Sequence, residues 1–258
     1  MPKIKVKNLE IKYLDQGQGP ILLILHGWGS SLKSYGQLIP LLTKDFRVIM
    51  PELPGFGESE EPQEAWSLDE YVSFVKDFVE THCNASLQEP LQKLHVYAHS
   101  FGARIAIRWL SAGEESVEKL VMCGAAGIKD ELSTRQKSAS KLSKLSKLVP
   151  NFLAKPLKKV LYKIAGSSDY IKASPVMKET LQLVVAQDLS PYLEKINVLT
   201  LLVWGRGDTY TPLRHGQFMH EKIKDSKLVV LEDAKHGVHL QQPEKLARLI
   251  SDFLITKH

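Results

Sequence analysis

Residues Lys93 to Ile105 read K-L-H-V-Y-A-H-S-F-G-A-R-I. Leu94, Val96 and Ala98 belong to a short apolar run of buried-strand length. From Phe101 onward, Ala103, Ile105, Ala106, Trp109 and Leu110 take the spacing of an amphipathic helix. Only His99, Ser100, Phe101 and Gly102 lie between, with almost no room for a loop. A serine on so sharp a strand-to-helix turn is pushed out of the sheet with its hydroxyl exposed. The turn needs small residues two positions to either side, and Ala98 and Gly102 are small. Ser100 is therefore a candidate nucleophile, and the plainer alternative is a serine that caps the helix. The rest of the chain decides between them by supplying, or failing to supply, a base, an acid and oxyanion donors.

Working outward, the elements alternate. Lys3 to Asn8 and Leu9 to Leu14 read as two strands, with Asp15 to Pro20 as the turn after them. Ile21 to Leu25 is a continuous apolar run, the mark of a strand buried on both faces of a parallel sheet. It ends in His26-Gly27-Trp28-Gly29, and a helix of about two turns follows through Tyr35, Leu38, Ile39 and Leu42. The strand Phe46 to Met50 closes on the turn Pro51 to Ser59. Ser67-Leu68-Asp69-Glu70 is a capping box opening a helix with Tyr71, Phe74, Val75, Phe78 and Val79 on its apolar face. Beyond the elbow come a strand at Val117 to Cys123 and another at Val198 to Trp204. A helix from Leu213, a strand at Leu228 to Leu231 and a helix at Pro243 to Leu254 complete the chain. Such alternation predicts a mostly parallel sheet of about eight strands with helices on both faces.

The pattern changes between 125 and 196. This stretch holds Pro150, Pro156, Pro175 and Pro191, reads as several short helices without a strand, and is expected to be an inserted helical cap. The predicted organisation is a core of 1–124 and 197–258 with the cap between. The chain has 258 residues and a net charge of +5, but Thr134 to Lys178 alone carries ten lysines and one arginine against the single acid Asp169. The basicity therefore belongs to one segment. Its leucines (Leu142, Leu145, Leu148) with Phe152 and Leu153 give an apolar face suited to covering a site. Lys141, Lys144 and Lys147 form another, where a weak attraction to anionic membrane surfaces or acidic substrates is the sharper reading. No aromatic interleaving or nucleic-acid motif accompanies the lysines, so no nucleic-acid partner is expected. Cys83 and Cys123 lie in apolar patterns and are expected as buried free thiols. The histidines show no ligand spacing, so neither a metal nor a cofactor is expected. The first residues carry no signal-peptide pattern and no apolar run is of membrane-spanning length, which predicts a soluble cytoplasmic protein.

A serine hydroxyl is a weak nucleophile until an imidazole takes its proton, and the imidazole needs a carboxylate to fix its tautomer. His236 lies in the loop after the final strand, and His239, three residues on, competes with it. Asp208 ends the preceding strand in the turn Gly205-Arg206-Gly207-Asp208, with Asp233 the weaker candidate acid. All lie at carboxyl ends of predicted strands, where open α/β sheets collect their functional groups. The chain order Ser100, Asp208, His236 is the one expected of such an architecture. His26 and His99 are expected to be structural, bonding neighbouring turns.

Five pieces in order (His26-Gly27-Trp28-Gly29, Pro54-Gly55-Phe56-Gly57-Glu58-Ser59, His99-Ser100-Phe101-Gly102, Trp204-Gly205-Arg206-Gly207-Asp208, and His236 with Gln242-Pro243-Glu244) give a whole-chain resemblance to the α/β-hydrolase fold. Within it the chain is most similar to the capped esterase and C–C hydrolase branch. The resemblance implies an oxyanion hole from the backbone N–H groups of Trp28 and Phe101. It implies cleavage of a small-molecule ester with small to medium acyl groups through an acyl-enzyme. C–C hydrolysis, thioester or lipid hydrolysis, and a ligand-binding sensor with residual turnover are the alternatives. There are departures: Ala98 replaces the first glycine of the elbow, and Glu52 stands where relatives have aspartate. Gly124, Ala125 and Ala126 offer no alternative acid. C–C hydrolases usually carry tryptophan after the catalytic histidine, where this chain has Gly237. Epoxide hydrolysis and dehalogenation on similar folds use a carboxylate nucleophile, which Ser100 is not.

Overall fold

The computed structural model describes residues 1–83, 93–129 and 173–256. Among these the strands are β1 (Lys3–Val6), β2 (Leu9–Gln16), β3 (Ile21–Leu25), β4 (Arg47–Pro51), β5 (Leu94–His99), β6 (Val117–Cys123), β7 (Leu199–Gly205) and β8 (Ser226–Leu231). They form one sheet in the order β1-β2-β4-β3-β5-β6-β7-β8. The β1–β2 and β2–β4 pairs are antiparallel and every later pair is parallel. The helices are α1 (Ile39–Leu42), α2 (Leu68–Phe78), α3 (Phe101–Leu110), α4 (Pro175–Ala186), α5 (Leu213–Lys222), α6 (Val238–Gln241) and α7 (Pro243–Ile255).

The central strands are buried throughout because both faces are covered. Side chains on a strand alternate, so each strand feeds two cores. Leu23, Leu25, Val96, Ala98, Leu120 and Met122 pack on the face shared with α2 and α3. Leu22, Ile24, Tyr97, Val121 and Cys123 pack on the opposite face with α1 and α7. Cys123 is a buried free thiol, as expected; the side chain of Cys83 lies outside the described residues. Both halves of the capping box on α2 form: Ser67 accepts from the Asp69 N–H, and Glu70 accepts from the Ser67 N–H at 2.6 Å.

Several boundaries differ from the sequence reading, and three of them have a visible cause. β2 runs on to Gln16, because Asp15 pairs with Ile49 and its carboxylate binds Arg47 at 2.9 and 2.7 Å. The helix expected after the glycine turn is split into a 3-10 turn at Leu32–Tyr35 and the short α1. Pro40 lacks an N–H and fits only a first helical turn, so the helix restarts there. β8 begins two residues early, at Ser226, which pairs with Thr200. Residues 130–172, with the Lys-rich stretch and its apolar face, lie outside the described residues. What is described of the expected insertion is helical: α4 and a 3-10 turn at Ser190–Lys195. Met177, Leu181 and Val184 of α4 join the core, and buried Arg104 on α3 donates to the Val184 and Gln187 carbonyls, capping the C-terminus of α4.

Candidate active site

Ser100 is the single residue between β5 and α3, at φ +50° and ψ −105°. A non-glycine residue with positive φ costs about 1–3 kcal/mol unless its surroundings hold it there. They do: the Ser100 N–H donates to the Cys123 carbonyl, and its own carbonyl accepts from Ala103 and Ala126, each at 3.2 Å. The hydroxyl makes no capping bond to α3, so the plainer reading of Ser100 as a helix cap is not met. Gly102 is required by packing: a Cβ there would collide with the Leu25 carbonyl. Ala98 needs no such allowance; it sits inside β5 in register with Leu25 and Met122.

The turn after β3 passes close to this elbow. A Cβ on Gly27 would lie 2.7 Å from His99 Nδ1 and 3.4 Å from the Ser100 Cβ. Phe101 is the first residue of α3, where a helix has no internal acceptor for its N–H. Neither its N–H nor that of Trp28 donates in the turns and caps of the described residues. The two side chains meet edge to face at 5.3 Å, so the residues that carry these donors are neighbours.

Asp208 and His236 come together from loops after β7 and β8. Asp208 Oδ2 lies 2.8 Å from His236 Nδ1. A carboxylate only accepts, so Nδ1 carries the proton and Nε2 presents its lone pair. Asp208 Oδ1 accepts from the N–H groups of Tyr210 (2.8 Å) and Thr211 (2.9 Å), and Oδ2 also lies 2.8 Å from the Thr211 hydroxyl. Burial by itself would raise the Asp208 carboxyl, but His236 and these donors outweigh it and hold it below the usual carboxylate value.

His99 ties the two halves together. Its Nε2–H donates to the His236 carbonyl at 3.1 Å, and the rings lie 4.8 Å apart. The residue preceding Ser100 thus holds the His236 loop against the elbow. Burial, then the neighbouring His239 and His236, pushes the His99 imidazole well below its ordinary value, so it is neutral. His26 is structural as expected. Its Nδ1–H donates to the Gly27 carbonyl (2.8 Å), and its Nε2 accepts from the Leu53 N–H (2.9 Å). Glu52 accepts from the N–H groups of Leu32 and Glu58, pinning the turn that follows β4.

The competing candidates are placed otherwise. His239 is buried, stacks flat on Tyr35 at 4.5 Å and meets the His99 ring edge to face, with no acid partner among the described residues. Asp233 is at the surface. The sequence reading missed Thr211, whose hydroxyl also lies 3.1 Å from the Gly124 carbonyl. Its one signal is a hydroxyl residue three positions after the turn aspartate. Among the described residues no group of three or more His, Cys, Asp or Glu side chains could hold a metal, and no helix is long and apolar enough to cross a membrane.

Comparison with known proteins agrees with this architecture. The model of the alpha/beta hydrolase family matches residues 22–249. The chain is 25% identical over 274 residues to a 2-hydroxy-6-oxo-6-phenylhexa-2,4-dienoate hydrolase of Burkholderia cepacia, covering 96% of this chain and 92% of that one. It is 25% identical over 248 residues to the pimeloyl-[acyl-carrier protein] methyl ester esterase of Neisseria meningitidis, covering 90% and 75%. Among solved structures, the enol-lactonase of Burkholderia xenovorans LB400 superposes with a TM-score of 0.76 at 19% identity, over 99% of this chain and all of that one, a likeness of fold. The extent of the family match, with the eight-stranded sheet and the serine elbow, shows that this chain belongs to the alpha/beta hydrolase family.

Proposed function

We propose that the protein is a serine hydrolase that cleaves carboxylic esters of small to medium acyl groups, with Ser100, His236 and Asp208 as its triad. The observation that carries the reading is the 2.8 Å bond between Asp208 Oδ2 and His236 Nδ1, beside a serine held at positive φ with its hydroxyl uncommitted. That bond fixes the tautomer in which Nε2 is the basic atom. Neither the Ser100 hydroxyl nor His236 Nε2 has a hydrogen-bond partner among the described residues, and in unliganded enzymes such contacts commonly tighten only around substrate.

The chemistry follows. Ser100 Oγ attacks the ester carbonyl while its proton passes to His236 Nε2, and Asp208 stabilises the resulting imidazolium. The carbonyl oxygen becomes an oxyanion facing the N–H groups of Trp28 and Phe101, each donor contributing about 3 kcal/mol to the barrier reduction. The tetrahedral species collapses, the C–O bond to the alcohol breaks, and the alcohol leaves with the proton from His236. Water, deprotonated by His236, then attacks the acyl-enzyme and releases the acid and free Ser100.

A second reading, C–C bond hydrolysis on the same triad, draws on the likeness to the dienoate hydrolase of Burkholderia cepacia. Gly237 after His236, where the C–C hydrolases usually have tryptophan, favours the ester. Turnover of p-nitrophenyl esters from acetyl to palmitoyl tests the proposal. Activity peaking at one chain length and lost in Ser100→Ala supports it. Absence of ester turnover at every length, with a dienoate cleaved instead, moves the assignment to C–C hydrolysis.

A further inference from the structure

A cavity of about 280 Å³ opens beside Trp28, walled by Phe56, Met177 and the backbone of Gly55. Met177 closes one side so tightly that a Cβ on Gly55 would collide with its sulfur. The Trp28 ring reaches from this cavity to the Phe101 ring, and to Phe56 at 4.8 Å. The cavity therefore shares Trp28 with the pair of proposed oxyanion donors. Its size lies at the lower end of small-ligand pockets, room for a short or medium acyl chain.

One lining residue differs in kind from its neighbours. Glu61 is the only ionisable side chain among the described lining residues. Its placement is built into the fold: Glu61 Oε1 accepts from the Ser174 hydroxyl at 2.7 Å, and Ser174 Oγ in turn accepts from the Met177 N–H at 3.0 Å as the cap of α4. The carboxylate is thereby tethered at the start of a twelve-residue helix, where negative charge is favoured. No cation among the described lining residues offsets it. A substrate carboxylate entering here would meet a like charge, while an alkyl group would pack against Trp28, Phe56 and Met177 and an ammonium group would gain a partner.

We propose that this cavity is the acyl subsite and that Glu61 selects for uncharged or cationic acyl groups against those that end in a carboxylate. The proposal rests on the serine-esterase reading above and narrows its substrate class. Glu61 acts by exclusion and takes no part in bond making.

The test is a matched pair of esters, p-nitrophenyl pentanoate and p-nitrophenyl hydrogen glutarate, equal in chain length and differing in a terminal carboxylate. In wild type the ratio of kcat/KM, neutral over anionic, is expected to exceed about 30. In Glu61→Gln, whose amide oxygen can still accept from Ser174, the ratio is expected to fall at least about tenfold, and in Glu61→Lys to fall further. A wild-type ratio near one, or a ratio unchanged in Glu61→Gln, overturns the proposal. If wild type turns over neither ester, the esterase reading fails by itself, and titration of Ser100→Ala with the same two esters still decides the selectivity. Binding of the glutarate at least about tenfold weaker than the pentanoate supports it; equal binding, or none of either, overturns it.

Discussion

The loops after β3 and β8 leave the parallel sheet at the same end, and each begins the site with a histidine. His26 is fully buried and both its ring nitrogens are occupied, one donating to Gly27 and the other accepting from Leu53. Burial, only partly offset by the Gly27 carbonyl, lowers its pKa to about 4. Its polar capacity is spent on fixing the turn that carries the Trp28 N–H. His236 is half-occupied: Nδ1 is held by Asp208, while Nε2 is uncommitted and the side chain keeps 19% of its exposure. The same residue type is scaffold in one loop and candidate base in the other. What separates them is the number of ring nitrogens left over after folding.

This contrast can be broken by substitution, and the largest expected effects fall on the half-occupied histidine. His236→Ala should lower kcat by about 10⁴-fold or more, with the melting temperature moved little. Asp208→Asn should cost about 10³- to 10⁴-fold, because an amide that donates to the ring selects the wrong tautomer. A loss in either variant of less than about tenfold, in steady-state ester assays, would remove the distinction drawn between the two loops.

The fully occupied histidine should act through stability. Because the folded pKa of His26 is depressed to about 4, the unfolded chain binds more protons between that value and the ordinary histidine value. His239, buried against Tyr35 with the His236 and His26 imidazoles nearby, is likewise depressed to about 4, chiefly by burial. Their contribution is therefore fully present above about pH 6.5 and is lost as pH falls toward 4, at up to about 1.4 kcal/mol per pH unit per group. Urea unfolding between pH 7 and pH 4 should show this decline, and His239→Phe, which keeps the stacking partner for Tyr35, should make it shallower. A decline of unchanged slope in that variant would assign the acid sensitivity elsewhere.

Smaller effects sharpen the picture. Glu52→Ala leaves the Leu32 and Glu58 N–H groups without their acceptor and should cost about 2–3 kcal/mol in urea unfolding, while the folded fraction keeps most of its ester turnover. Thr211→Val removes a hydroxyl from Asp208 but keeps the Asp208–His236 bond, and should reduce kcat/KM by about tenfold. An unaltered rate would mean that the two backbone N–H donors suffice to hold the carboxylate.

The elbow was legible because its information is local: a strand, a serine and a helix within thirteen residues. The parallel sheet was legible from runs such as Ile21 to Leu25, buried at every position. The Asp208–His236 pairing followed from placing both residues at strand ends. The extension of β2 was not legible, since it depends on Arg47, 32 residues from Asp15, and on His82, 67 residues away. The break before α1 was written in Pro40 but outweighed by the spacing of Tyr35, Leu38, Ile39 and Leu42. His99 could be judged structural from sequence, yet its partner, the His236 carbonyl, lies 137 residues away. Glu61 in the cavity was invisible for the same reason, because the wall that makes it notable comes from residues as far off as Met177.

The most direct test of the central claim is covalent labelling with a fluorophosphonate, followed by mass spectrometry of the peptides. The account predicts one adduct, on Ser100, absent from Ser100→Ala and formed far more slowly in His236→Ala. Wild-type protein that takes up no label, or takes it up on another residue, would contradict the assignment of Ser100 as the nucleophile.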